Sequence, residues 1–178
     1  MTRTVEEAVA DLASPDAIVR DQALGLVVSY GRRATAALLP LVDGQDPALR
    51  ARAVRGLGEI ADSTTADRLF ELVDDGDPEV RAHAAAGLAR MKDPRALDAL
   101  IKTFDDRPHL TMVQGTPATD ALMVMGEAAL PRVAALLAAP SQETRDRARF
   151  VILAVASRLP PAEAAAWRAK VAAAESGP

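Results

Sequence analysis

Cysteine is absent from the 178 residues, histidine occurs twice, and aromatic residues make up 3% of the chain. Without thiols there is no disulfide, no thiolate nucleophile and no thiolate metal site. His83 and His109 are the two imidazoles, so metal binding would rest on carboxylates, and neither a metal nor another cofactor is expected. An excess of one charge is missing too: 21 Lys and Arg stand against 25 Asp and Glu, a net charge of −4. A nucleic-acid binder gathers basic residues on one face, so no nucleic-acid partner is expected. The longest apolar run, Phe150 to Ala156, is far shorter than the about 20 residues that cross a bilayer. Glu6, Glu7 and Asp11 interrupt the place where a signal peptide carries its apolar stretch. Together these absences predict a soluble cytoplasmic protein with no membrane partner.

Catalytic motifs are missing as well. No Gly-rich phosphate loop, nucleophile elbow or Ser-His-Asp order occurs. Gly56 and Gly58 have Gly-x-Gly spacing but lie in a helical pattern with no strand before it, so close helix packing accounts for them. The chain therefore reads as a non-enzyme. Abundant instead are alanine and leucine, with 39 and 20 residues. That mixture favours helix and starves a sheet of β-branched and aromatic residues, predicting an all-α fold. With 49% hydrophobic residues, the chain can bury the core of one domain spanning 1–178.

A repeat organises the helices. Asp46-Pro47-Ala48-Leu49-Arg50-Ala51-Arg52-Ala53 with Leu57-Gly58 is matched 31 residues later by Asp77-Pro78-Glu79-Val80-Arg81-Ala82-His83-Ala84 with Leu88-Ala89. Asp16, Val19, Arg20, Ala23 and Val27 fit the frame upstream, and Ser141, Thr144, Arg145, Ala148 and Ile152 fit it near the C-terminus. A degenerate copy at an offset of 37 places Ala121, Met125 and Gly126 where Ala84, Leu88 and Ala89 stand. Each copy opens on an N-cap, with proline at the first helical position in the two clearest. Apolar residues then recur at steps of four, giving one buried stripe. Second helices follow over Thr64 to Val73, Asp93 to Phe104 and Glu127 to Ala138. Thr4 with Glu7 predicts a capping box on an opening helix over Val5 to Ala13. Pro160-Pro161 separates the last first helix from a closing helix around Trp167. The expected architecture is an α-solenoid of five hairpins, a capping helix at 1–13 followed by repeats near 14–44, 45–75, 76–106, 107–139 and 140–175.

The copies at Asp46 to Gly58 and Asp77 to Ala89, with weaker versions at Asp16 to Val28 and Ser141 to Leu153, resemble HEAT repeats of the short, phycobilisome-lyase type. The resemblance covers residues 14 to 175. It implies a ladder between adjacent repeats that gives Asp46, Asp77, Arg20, Arg50, Arg81 and Arg145 structural roles and breaks at Ala118. It also implies that second helices line a concave face. Iron hydroxylases built from such repeats use His-Glu pairs, and this sequence contains none.

On the concave face the outward positions fall in three rows: Ala36, Asp67, Asp98 and Pro131; Ala37, Arg68, Ala99 and Arg132; Pro40, Glu71, Lys102 and Ala135. Mixed signs suit a protein or peptide partner better than a polyanion. Solvated helix faces would show the same residues. Candidate contacts are Asp67, Arg68, Glu71, Asp98, Lys102 and Arg132, joined by His109, Leu110 and Met112 from the expanded Arg107 to Pro117 stretch. That stretch reads either as a contact-making edge loop or as a broken helix packed on the core. His83 reads as a solvated outer position, and Asp74, Asp75, Asp77, Asp105 and Asp106 as turn and cap residues. Pro40 predicts a shortened or kinked second helix in the first repeat. The function these features imply is a non-catalytic scaffold or adaptor. The alternative implied by the resemblance is a bilin lyase or lyase chaperone.

Overall fold

The computed structural model describes residues 3–106 and 115–175, and every regular element among them is helical. The first helices of the hairpins are α2 (Ala17–Ser29), α4 (Pro47–Ile60), α6 (Pro78–Arg90), α8 (Pro117–Met125) and α10 (Gln142–Ala156). Their partners are α3 (Arg32–Leu38), α5 (Ala66–Leu72), α7 (Ala96–Lys102), α9 (Leu130–Ala135) and α11 (Pro161–Glu175), and α1 (Val5–Ala10) precedes them all. Each first helix packs on the first helices before and after it, while α3, α5, α7 and α9 pack against the first helix that follows. The result is a two-layered α-solenoid.

Local chemistry starts the helices. Asp16, Asp46 and Asp77 accept the amides of Ile18, Ala48 and Glu79 at 2.8, 2.9 and 2.9 Å. Those bonds satisfy N–H groups that the first turn leaves unpaired. Thr4 and Glu7 form the reciprocal capping box, yet the α-helix they start ends at Ala10, with a 3-10 turn over Asp11–Ala13. Second helices are also shorter than their apolar patterns. Asp62 caps a 3-10 turn at Ser63–Thr65 before α5, Pro40 turns the end of α3 into a 3-10 segment, and 3-10 turns flank α9.

The stripes meet in a continuous core. Leu57 and Leu88 from first helices and Leu38, Leu69, Leu100 and Leu130 from second helices are all fully buried. Residues 117–138 are apolar enough, at a mean hydropathy of 1.6, and long enough for a membrane span by composition. Gly126, at φ +68°, divides this stretch into α8 and α9, whose Leu122, Leu130 and Val133 enter the common core.

The first helices α4 and α6 are each followed by a non-glycine residue in the left-handed region, Ala61 at φ +54° and Lys92 at φ +58°. A Cβ there crowds the following carbonyl. Ala61→Gly is therefore expected to stabilise the chain by about 1 kcal/mol, read as a higher Tm. A Tm at or below that of the parent would show that the cap is not strained.

Candidate functional site

Each signature arginine folds back on the loop before its own helix. The Nη1 of Arg20, Arg50, Arg81 and Arg145 donates to the carbonyls six and five residues earlier, with six-residue distances of 2.8, 2.9, 2.8 and 2.6 Å. The same guanidinium then reaches forward: Arg50 pairs with Asp75 at 3.0 Å, and Arg81 clasps Asp106 through two bonds of 2.8 and 2.7 Å. The ladder expected from the resemblance exists, but its carboxylates are Asp75 and Asp106, while Asp46 and Asp77 cap their own helices. Gln45 occupies the equivalent position one copy earlier, and Ala118, fully buried, interrupts the series. Burial works against the Asp75 carboxylate, but the Arg50 guanidinium and the Asp77 amide outweigh it and hold the group below the ordinary aspartate range.

Cross-repeat pairs also tie the second helices together. Arg68 bridges Asp43 of the preceding copy and Glu71 of its own helix, the latter at 2.6 Å. Lys102 pairs with Asp74, and Arg132 with Asp98 at 2.7 Å. Asp67, 92% exposed, accepts Arg95 at 2.9 Å. Arg95 also grips Asp93 at 2.7 Å and lies 4.5 Å over the Phe70 ring. Asp93 and then Asp67 stabilise its charged form, raising its pKa. Glu71 and then Asp43 do the same for Arg68. The structure thus brings Asp67, Arg68, Glu71, Asp98, Lys102 and Arg132 into one charged band, bound to Asp43, Asp74 and Arg95. His109, Leu110 and Met112 lie outside the described residues.

The sequence reading missed these partners because each pair joins residues 25 to 34 positions apart, beyond the reach of helical spacing. Asp105, read as a turn residue, holds Arg147 and accepts the Thr144 hydroxyl at 2.8 Å. His83 is not solvated: its side chain is 14% exposed, and its Nε2 lies 3.8 Å from Glu79.

A different feature lies on the first-helix face. α4 and α6 cross where Gly58 meets Gly87, so closely that a Cβ on Gly58 would lie 2.9 Å from the Gly87 Cα. In the repeat frame, Ala89 and Val124 take those positions between α6 and α8. A cleft of about 480 Å³ lies between these two helices, within the volume range of ligand-binding clefts. Ala86, Ala89, Ala121, Val124 and Met125 give it an apolar lining, with Arg55, Glu59, His83, Arg90, Lys92 and Asp120 around them. Among the described residues no three His, Asp or Glu side chains gather as a metal site.

Stacked helical hairpins joined by intercopy pairs define an α-solenoid repeat protein. Residues 35–114 match the family model of HEAT repeats. No curated protein matches it. Among solved structures it is similar to the complex of CpcE and CpcF of phycocyanin lyase from Nostoc sp. PCC7120, with 24% identity and a TM-score of 0.57 over 92% of this chain and 68% of that one. It is similar also to an engineered protein, with 18% identity and a TM-score of 0.52 over 97% of this chain and 96% of that one. These likenesses establish the fold.

Proposed function

We propose that this chain is a non-catalytic scaffold that binds a protein or peptide along its second-helix face. The observation that carries this reading is the band of cross-repeat pairs, which sets charges of both signs at fixed positions while leaving their partners exposed. Exposed pairs of this kind contribute about 0–1 kcal/mol each, so a partner can exchange them for its own charges at little cost. Mixed signs give orientation and register without the strong single field that a polyanion would exploit.

The test combines Arg68→Glu, Lys102→Glu and Arg132→Glu and compares partners captured from native cytoplasm. The variant is expected to keep its helical circular dichroism and lose partners that the parent retains. Full retention by a folded variant would overturn this surface assignment.

A second reading, a bilin lyase or lyase chaperone, is favoured by the shared fold with the phycocyanin lyase complex. It requires a coloured tetrapyrrole to co-purify with the chain, and a colourless preparation from a pigment-producing cell would count against it.

A further inference from the structure

We propose that the cleft between α6 and α8 is a docking site for an acidic amphipathic helix of a partner protein. This goes beyond the scaffold reading, because it uses the first-helix face and none of the second-helix charge band. Charge complementarity identifies the occupant. Around the cleft, Arg55, Arg90 and Lys92 outnumber Glu59 and Asp120, a local cationic excess in a chain of net charge −4. Arg55 is paired with Glu59 at 2.8 Å. Arg90 and Lys92, at the C-terminal end of α6, have no ion pair among the described residues.

The lining specifies a helix. Ala86, Ala89 and Ala121 are small and let a third backbone approach at the usual interaxial distance of about 8–10 Å. Val124, 85% exposed, supplies an apolar edge that the chain's own packing leaves uncovered. An incoming helix would set apolar residues at i and i+4 against this wall and carboxylates against Arg90 and Lys92.

The probe is a labelled synthetic peptide of about 18 residues with leucine on one helical face and glutamate on the other, and its control carries lysine for glutamate. Fluorescence anisotropy with the full chain is expected to show saturable binding of the acidic peptide alone. Arg90→Glu with Lys92→Glu should weaken it by at least about tenfold, as should Val124→Asp. If the charge-reversed chain does not fold, Arg90→Gln with Lys92→Gln removes the charges at similar volume. The Arg68→Glu, Lys102→Glu, Arg132→Glu variant should bind the peptide like the parent, so failure of the scaffold reading and failure of this one are separable. Absent saturation, equal binding of the lysine peptide, or weakening by the second-helix variant in place of the cleft variants would overturn the proposal. So would a dimer in sedimentation that Val124→Asp converts to monomer, because the occupant would then be a second copy of the chain.

Discussion

Replacing Gly87 with valine is expected to destabilise the chain by about 3 kcal/mol, because the new side chain enters the close crossing of α4 and α6. A Cβ there would stand 2.4 Å from Leu69 Cδ2 and 2.9 Å from Gly58 Cα. The leucine terminus can rotate away, but the Gly58 backbone can yield only if α4 and α6 separate. Better intrinsic helix propensity returns about 0.5 kcal/mol, too little to reverse the sign. Urea titration checks the loss, and Leu69→Ala in the same background should recover only part of it. Full recovery would locate the constraint in the leucine instead of the backbone crossing. Val124→Gly provides the converse experiment at the equivalent position. Val124 is exposed beside the cleft, so its loss should change stability by about 0.5 kcal/mol, the propensity cost alone.

That contrast also shows how far the amino-acid pattern reaches. Stripes at steps of four expose the stacked architecture, and the caps at Asp46 and Asp77 locate where first helices begin. The ends of second helices are less legible. Pro40 announces the shortened α3, but the 3-10 turns at Ser63–Thr65, Gly126–Ala129 and Leu136–Ala138 cut α5 and α9 short where the apolar spacing continues. Gly56 and Gly58 can be read as packing glycines, but that Gly58 meets Gly87 depends on the crossing geometry of two helices. The same limit governs the candidate surface. The pattern shows that Arg68 and Arg132 face outward in one row and Lys102 in the next, and it omits that Asp43, Asp74 and Asp98 hold them. Likewise, the substitution of Gly87 by Val124 in the repeat frame is plain in the sequence. The cleft between α6 and α8 is not, because it depends on how the two helices sit in space.

Arg81→Met should cost about 2–3 kcal/mol, since it removes charge-assisted bonds while retaining most of the apolar stem. The guanidinium holds the Asp75 and Gly76 carbonyls at 2.8 and 3.1 Å and both Asp106 oxygens at 2.8 and 2.7 Å. Asp106 and the loop before α6 belong to different parts of the stack, so one planar group fastens a helix entrance to the following turn. Lysine offers a compact ammonium that cannot span both acceptor sets, and Arg81→Lys should recover less than half the loss. Arg20→Met is the control: Arg20 makes the same two carbonyl bonds, but Gln45 stands where later copies place aspartate, so the loss should be nearer 1 kcal/mol. Equal losses at Arg20 and Arg81 would assign the stabilisation to loop closure alone. A larger loss at Arg81, with a reduced urea m-value, would show that the Asp106 clasp couples adjacent copies, because nearest-neighbour contacts carry cooperativity along a stack of this kind.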